Sequence, residues 1–220
     1  MAAMIVGCGS NTKKEEAAAA AAAKAKETAD SLAAVERAAK EQMALELLPT
    51  LAAEPVFEIT TNLGVMKIKL YKDTPKHREN FAKLALSGYY DGLLFHRVIK
   101  NFMIQGGDPN SKDPEKVNQY GQGGPGYQIP AEILPNHTHK KGALAAARKG
   151  DAANPLKESS GSQFYLVQDE AGCSSLNGEY TVFGETISGL DVIDKIASVE
   201  TGAKDLPVNP VKIISIKLAE

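Results

Sequence analysis

The sequence has no tryptophan and only two cysteines, Cys8 and Cys173, among its 220 residues. Two cysteines cannot build a disulfide framework, so the fold must depend on its hydrophobic residues, which make up 43% of the chain. No apolar run approaches the roughly 18 residues that a membrane-spanning helix needs. An excess of positive charge is also absent, because 25 Lys and Arg residues are balanced by 27 Asp and Glu residues. This balance argues against a nucleic-acid-binding protein that works by bulk electrostatic attraction.

The first quarter of the chain differs in composition from the rest. Residues 11–48 are mainly Ala, Lys and Glu, which are strong helix formers, and residues 17–23 are all Ala. A weak apolar stripe recurs at spacings of three and four residues: Leu32, Val35, Ala39, Met43 and Leu47. The pattern predicts a solvated helical spacer over residues 11–53. A short coiled coil with a partner is the alternative interpretation.

A short motif precedes the spacer. Ile5-Val6-Gly7-Cys8 resembles the lipobox of bacterial lipoproteins, in which the cysteine is lipidated and becomes the mature N-terminus. The apolar stretch is shorter than a signal-peptide core of about 7–15 residues, and no basic region precedes it. We therefore interpret residues 1–10 as a truncated lipoprotein-signal-like segment with a lipidation site at Cys8. The chain would then be a membrane-anchored protein of the bacterial cell envelope, facing the periplasm or the outside. An ordinary N-terminus with a free thiol would instead make it cytoplasmic.

Residues 54–220 have the pattern of one compact domain. Two runs that alternate apolar and polar residues, 56–61 and 65–70, flank an Asn-Leu-Gly turn and predict a β-hairpin. A helix is expected to begin with Thr74 as its N-cap and Pro75 at the first helical position. A second helix is expected over residues 190–197.

Six further strands follow the hairpin in the predicted order. They are Leu94–Ile99, Phe102–Gln105, Gly142–Ala147, Gln163–Gln168, Tyr180–Glu185 and Val211–Leu218. Helical crossovers between these strands are missing, which favours an antiparallel arrangement over a parallel sheet. The predicted fold class is mainly β, a closed eight-stranded antiparallel barrel capped by two helices and preceded by an Ala-rich helical segment.

The most informative stretch runs from Phe95 to Asp108, with the sequence FHRVIKNFMIQGGD. Arg97 stands in an apolar strand pattern, where a charged side chain is costly unless it meets a partner. By itself, this arginine is explained equally well by a buried carboxylate that satisfies its charge.

Three blocks of the sequence resemble the signatures of one family, the cyclophilin-type peptidyl-prolyl cis-trans isomerases. The first is the stretch just quoted, the second is Gly161 to Leu166 (GSQFYL), and the third is Leu176 to Gly184 (LNGEYTVFG). All three occur in the order of the family, and Gly-Gly-Pro-Gly-Tyr at residues 123–127 is similar to its bacterial branch. Three ordered motifs are far more specific than one short pattern.

The resemblance implies a proline-binding groove on the outer face of the barrel, with Arg97 as the catalytic arginine. It also implies a set of substrate-binding residues: Phe102, Met103, Gln105, Ala147, Arg148, Gln163, Tyr165, Leu176 and Tyr180. Tyr165 stands where the family usually has Phe, and Arg148 replaces the usual Asn. Ser175 occupies the place of a Trp that contacts cyclosporin in many eukaryotic members, which puts cyclosporin binding in doubt. The segment from Lys149 to Ser160 is longer than the usual loop of the family.

These residue types suit the rotation of an Xaa-Pro bond. The two isomers differ by only about 0.5–1 kcal/mol, but the barrier between them is about 18–20 kcal/mol because rotation breaks amide resonance. No bond is cut, so the reaction needs no nucleophile, metal or cofactor, and the sequence offers no convincing set of any. A fixed guanidinium can stabilise the twisted amide by donating hydrogen bonds. The expected partners are Xaa-Pro segments of unfolded or partly folded proteins, with no nucleic acid.

Other chemically versatile residues receive structural interpretations. We interpret His96 as a core histidine behind Arg97, and His137 and His139 as surface residues of a loop that lacks further metal ligands. Asp108 is expected to cap a turn, and Cys173 to be an unpaired thiol.

Two alternatives to an isomerase remain open at this point. The first is a non-catalytic module that binds proline-containing peptides. The second is a scaffold lipoprotein whose helical segment carries the function. Catalytic exchange in a short Xaa-Pro peptide separates the enzyme from the first, and deletion of residues 1–53 separates it from the second.

Overall fold

The computed structural model describes residues 10–219, so Cys8 and the rest of the lipoprotein-like segment lie outside the described residues. The chain divides into a helical unit that ends at Gln42 and a compact unit that begins at Met43. A single helix, α1, covers Ser10–Leu47, as the Ala-rich composition predicts. Its apolar stripe is open to solvent, with Leu32 62% and Val35 64% exposed. No helix within the described residues is long and apolar enough to cross a bilayer.

The compact unit is built mainly from short strands. In the described part of the chain they are β1 (Val56–Thr61), β2 (Gly64–Leu70), β3 (Arg97–Ile99), β4 (Met103–Gly106), β5 (Gln128–Ile129), β6 (Ala143–Ala146), β7 (Ser159–Ser160), β8 (Phe164–Val167), β9 (Val182–Ser188) and β10 (Ile213–Leu218). The helices after α1 are α2 (Pro75–Leu86), α3 (Glu170–Cys173) and α4 (Leu190–Ala197). The predicted hairpin, both predicted helices and all six further strands are present. The short pair β5 and β7 was not predicted.

Eight strands form one antiparallel sheet in the order β10-β1-β2-β9-β6-β8-β4-β3, and β5 pairs with β7 separately. The sheet curls into an open half-barrel, so the prediction of a closed barrel is wrong. The edge strands β3 and β10 do not pair with each other. The gap between them is spanned only by the stretch before β3, where Leu94 and Lys212 form an isolated bridge. β3 has only three residues and pairs only with β4. The backbone hydrogen bonds to residues 211–213 are made before β3 begins, for example from the Phe95 N–H to the Val211 carbonyl at 2.9 Å.

The two faces of the sheet carry separate hydrophobic clusters. The larger one lies on the face covered by α2 and α4 and includes Phe57, Phe81, Ile104 and Phe164. Eight buried residues form the other, which we call the outer-face cluster: Tyr71, Met103, Ala143, Ala145, Tyr165, Val167, Cys173 and Val182. Because successive side chains of a strand point to opposite faces, β4 and β8 contribute to both clusters.

The N-terminus of α2 is capped by a residue that the sequence pattern did not identify. Thr74 occupies the N-cap position and Pro75 the first turn, both as predicted, but the Thr74 side chain makes no capping hydrogen bond. Glu132 supplies the cap instead, because its carboxylate accepts hydrogen bonds from the backbone N–H groups of Lys76 and His77, both at 3.0 Å. The same carboxylate lies 2.7 Å from Nδ1 of the buried His77 ring. The cap ties the loop at residue 132 to the helix, at the end where a carboxylate is favoured by the helix dipole.

Glu185 on β9 makes ion pairs that are sensitive to acid. Its carboxylate accepts hydrogen bonds from Lys140 and from Lys69, the latter at 2.8 Å. These bonds lower the pKa of Glu185 from its ordinary 4.5 to about 2. Because the pKa is lower in the folded chain, the stabilisation is complete above pH 4.5 and is lost as the pH falls towards 2.

We therefore expect Glu185→Gln to flatten the decline of unfolding free energy between pH 4.5 and 2, since the variant has no carboxylate to protonate. Urea unfolding at a series of pH values measures this slope. Glu58→Gln is the matched control, because it removes a carboxylate of the same type from a pair with Lys67 at 3.9 Å that is exposed and contributes little to stability. A parent-like slope for Glu185→Gln would contradict the account.

Candidate functional site

The antiparallel registers place three of the predicted site residues side by side. Arg97 of β3 pairs with Gln105 of β4, and Gln105 pairs in turn with Tyr165 of β8. Directly paired residues share one face of a sheet. The three side chains, which we call the central row, therefore lie on the outer face and next to the outer-face cluster.

An apolar surface adjoins the central row. Buried Met103 and Tyr165 belong to the outer-face cluster, and Phe102, Leu176 and Tyr180 pack against it while half-buried. The rings of Tyr165 and Tyr180 meet edge to face, with their centroids 6.0 Å apart. The structure thus brings together all the predicted apolar site residues.

A close backbone contact joins α3, which precedes Leu176 in the chain, to residues 101 and 102. The Cys173 thiol donates a hydrogen bond to the Phe102 carbonyl at 3.3 Å. Gly172 permits this approach, because a Cβ there would lie 2.1 Å from the Asn101 carbonyl oxygen. Cys173 is buried and unpaired, and burial raises the pKa of its thiol to about 12, so the thiol stays protonated and can donate.

His139 lies directly behind Tyr165 and is only 1% exposed, so its interpretation as a surface residue is wrong. Its Nδ1 and backbone N–H both lie 2.8 Å from the side-chain oxygen of Asn177. Because that oxygen only accepts, Nδ1 carries a proton and donates. Nε2 then accepts from the Tyr165 hydroxyl at 2.8 Å. Burial lowers the pKa of His139, against the opposite effect of its bond with Asn177, and so favours this neutral form.

The hydroxyl of Tyr165, which a Phe would lack, gives buried His139 a role. A buried phenol needs a hydrogen-bond partner, and His139 provides it. The tyrosine at a position usually held by Phe was the available signal, but it did not show which residue would supply the partner. The other histidine of the pair, His137, stacks on Tyr71 with ring centroids 4.0 Å apart and lies 2.7 Å from the Asp73 carboxylate.

Two glutamines form a polar wall on one side of the central row. Gln105 Nε2 donates to Gln163 Oε1 at 3.1 Å. Gln163 Nε2 in turn donates to the carbonyls of Gly121 and Gly123, at 3.1 and 2.8 Å. With Ala147 and Arg148, these residues line a cleft of about 840 Å³. The bonds fix the glycine-rich loop against the sheet and so give the cleft a defined wall.

Asp108 has the structural role that its sequence position predicts. It is fully buried, and its carboxylate accepts hydrogen bonds from the backbone N–H of Asn110 at 2.7 Å and of Gly123 at 3.2 Å. A further bond comes from the N–H of Gly121. Asp108 therefore caps the turn that follows β4 and holds the loop bonded by Gln163.

Arg148 fastens two loops at the rim of the apolar surface. Its guanidinium carbon lies 4.4 Å from the ring centroid of Tyr180, and its Nε donates to the Glu179 carbonyl at 3.0 Å. The same guanidinium contacts Asp151, and Lys157 donates to the Glu179 carboxylate at 2.6 Å. The extended segment from residue 149 to residue 160 is thus tied to the loop that carries Tyr180.

A second cleft of about 690 Å³ lies beside Arg97 and meets the first at Gln105, Gly121 and Arg148. His96 borders it and is buried as predicted, with no hydrogen-bond partner for either ring nitrogen within the described residues. The Asp205 carboxylate lies 3.5 Å from Arg97 Nε. No sequence pattern indicated this neighbour of Arg97, which is more than 100 positions away in the chain.

Other parts of the structure do not compete with this site. A separate groove of about 400 Å³ between residues 48–55 and α2 contains none of the predicted site residues. Within residues 10–219, no group of three or more His, Cys, Asp or Glu side chains could hold a metal ion.

The compact unit is similar in sequence to known proteins. The sequence profile of the family described as "Cyclophilin type peptidyl-prolyl cis-trans isomerase/CLD" matches residues 56–218. The human protein named peptidyl-prolyl cis-trans isomerase-like 1 is 38% identical over 162 residues, which cover 73% of this chain and 90% of that protein. An Arabidopsis thaliana peptidyl-prolyl cis-trans isomerase is 40% identical over 155 residues, which cover 70% of this chain and 89% of that protein.

Solved structures agree with the sequence matches. A cyclophilin-type peptidyl-prolyl cis-trans isomerase of Cryptosporidium parvum superposes with a TM-score of 0.66 at 31% identity, covering 76% of this chain and 98% of that one. Its crystal structure in the presence of the dipeptide Ala-Pro gives 0.65 at 30% identity, covering 75% and 99%. The chain therefore belongs to the cyclophilin-type peptidyl-prolyl cis-trans isomerases and is an enzyme of that class.

Proposed function

We propose that Arg97 is the catalytic residue of this isomerase and that Xaa-Pro segments of unfolded or partly folded proteins are its substrates. The observation that carries the proposal is the central row, in which a guanidinium lies beside an apolar surface on the open face of the sheet. The proline ring packs on Phe102, Met103 and Leu176, with Tyr165 as the floor and Tyr180 at the rim. The relative crystallised with Ala-Pro supports a proline-containing ligand.

Arg97 acts on the transition state rather than on the ground state. As the Xaa-Pro bond twists, the proline nitrogen becomes pyramidal and gains a lone pair that can accept a hydrogen bond. Among the described residues, nothing accepts a hydrogen bond from the two Nη groups of Arg97, so they can donate to that nitrogen and to a neighbouring carbonyl. Lowering the barrier by about 8 kcal/mol would accelerate rotation roughly a million-fold.

The polar wall orients the rest of the peptide. Gln105 donates to Gln163 through Nε2, which leaves its side-chain oxygen available to a substrate N–H. Ala147 and Arg148 line the same cleft, with the Ala147 N–H donating to the Gln163 carbonyl at 3.0 Å. Cyclosporin should bind weakly, because the exposed Ser175 provides a small polar side chain where many eukaryotic members provide an aromatic contact.

Arg97→Ala in the full chain is expected to lower kcat/KM by about 100- to 1,000-fold, because it removes the donors that stabilise the twisted amide. Arg97→Lys should also be strongly impaired, since an ammonium cannot reproduce the planar fork. Exchange NMR on a short Xaa-Pro peptide measures the rate, and circular dichroism checks the fold. Arg37→Ala, at an exposed arginine of α1, is the matched control and should behave as the parent. Equal catalysis by Arg97→Ala and the parent would refute the assignment, and binding without acceleration by the parent would identify a non-catalytic peptide-binding module.

Tyr165→Phe is expected to retain most of the turnover but to lose about 1–3 kcal/mol of unfolding free energy, because it leaves Nε2 of buried His139 without a partner. Thermal or urea unfolding measures the loss. Tyr180→Phe is the matched control for stability, since its hydroxyl has no hydrogen-bond partner among residues 10–219. Equal stability of Tyr165→Phe and the parent would show that the hydrogen bond to His139 contributes nothing.

We also propose that the protein is a bacterial lipoprotein anchored at the cell envelope through Cys8. The support is the Ile5-Val6-Gly7-Cys8 motif, followed by a charged stretch and by a helix that runs to Leu47. Such a helix could separate a membrane anchor from the isomerase unit.

The lipid is tested on protein expressed in its native host. The parent and the Cys173→Ser control should partition into the detergent phase of Triton X-114, and Cys8→Ser should move to the aqueous phase. Mass spectrometry of the N-terminal peptide should show a lipid on Cys8. An unmodified N-terminal Met1 in an aqueous-phase parent would overturn the proposal.

A further inference from the structure

One carboxylate approaches the guanidinium of Arg97 at its Nε edge. The Asp205 carboxylate lies 3.5 Å from Nε, and both side chains are about half exposed. No other carboxylate within the described residues pairs with Arg97. An exposed arginine otherwise samples many rotamers, so this contact restricts where the fork of Nη groups can point.

Asp205 occupies the tip of a tight hairpin. Thr201 and Pro207 form a β-bridge, and the Gly202 N–H donates to the Leu206 carbonyl at 2.8 Å. The base of the hairpin is closed by a bond from the Val208 N–H to the Glu200 carbonyl at 2.9 Å. It follows α4 directly, whose last residues are buried in the larger core. The carboxylate is therefore presented by a constrained turn with a firmly packed base.

The backbone of this tip is strained. Lys204 and Asp205 have φ values of 61° and 59°, so two successive residues with side chains adopt the left-handed region. They are the two central residues of the turn in which the Leu206 N–H donates to the Ala203 carbonyl at 3.4 Å, and turns with two such residues normally use Asn and Gly. Strained backbone positions cluster at functional sites. One of these two strained residues, Asp205, contacts Arg97.

We propose that Asp205 is a positioning residue for the reaction, which holds the Arg97 guanidinium by its Nε edge so that both Nη groups face the twisted amide. The proposal rests on the catalytic role proposed for Arg97. An ion pair at Nε uses none of the donors that the transition state needs. A fixed donor also avoids reorganisation as the amide twists, and small errors in position reduce rates strongly.

The test compares Asp205→Asn, Asp205→Glu and Lys204→Gly in the full chain. Asp205→Asn removes the charge but keeps a side chain that tolerates a positive φ. We expect it to lower the catalysed exchange rate of an Ala-Pro-containing peptide by about tenfold, with the dissociation constant of the peptide nearly unchanged. Asp205→Glu should recover part of the rate. Lys204→Gly relieves strain without touching the carboxylate and should keep the parent rate.

A spectroscopic readout separates positioning from a structural role. The Nε–H cross-peak of Arg97 in a ¹⁵N spectrum is identified by its loss in Arg97→Lys. It should shift or broaden in Asp205→Asn and stay in place in Lys204→Gly, and the thermal midpoint of Asp205→Asn should stay close to the parent value.

Each contrary result overturns a definite part of the account. If Arg97→Ala is slow while Asp205→Asn has the parent rate, only the positioning role fails. If Arg97→Ala has the parent rate, the catalytic role fails and positioning with it. A faster Asp205→Asn would mean that the carboxylate competes with substrate. An equal loss of rate and stability in Asp205→Asn and Lys204→Gly would assign the effect to the hairpin conformation.

Discussion

The antiparallel register of three neighbouring strands is the constraint on which the site depends. It sets Arg97 beside Gln105 and Gln105 beside Tyr165, although the first and last of these are 68 positions apart in the sequence. A slip of one residue in either pairing would turn a whole strand over and send its outer-face side chains into the core. The opposite face of the sheet fixes this register, because Ile104 of β4 and Phe164 of β8 must point into the larger hydrophobic cluster beneath α2 and α4. The stability of the core and the geometry of the site therefore share one cause.

The support around the central row is largely polar and comes from loops. Asp108 and Gln163 hold the glycine-rich loop, His139 holds the hydroxyl of Tyr165, and Arg148 joins the two loops at the rim. Each of these groups is satisfied by hydrogen bonds, which is what burial beside an apolar cluster requires. A reaction that only rotates a bond benefits from such rigidity, because the catalyst must hold donors still while the substrate moves.

Sequence reasoning predicted the helices and strands better than it predicted whether the sheet closes into a barrel. Period-two alternation identified the two strands of the hairpin, because one face of each is buried. The six further strands were also located, although β6 and β8 are buried at every position and show no such alternation of burial. The closed barrel was wrong, since alternation says nothing about whether edge strands meet. Thr74 does occupy the N-cap position of α2, but its side chain makes no capping hydrogen bond. A carboxylate from residue 132 occupies the helix end, and a local capping pattern cannot reveal a partner 56 positions away.

The site itself was predictable in part, through its motif. The apolar residues and both glutamines come together around Arg97, but His139 and Asp205 escaped the sequence pattern. The contact of His139 with Tyr165 and that of Asp205 with Arg97 are both made by loop residues, whose positions depend on the complete fold.

A crystal structure of the protein with a bound Xaa-Pro tetrapeptide would show whether Arg97 reaches the bond that rotates. We expect a proline ring packed against Phe102, Met103 and Leu176, with an Nη of Arg97 within hydrogen-bond distance of the prolyl amide. A peptide seated elsewhere, or a proline ring in this place with the Arg97 guanidinium turned away from it, would contradict the account.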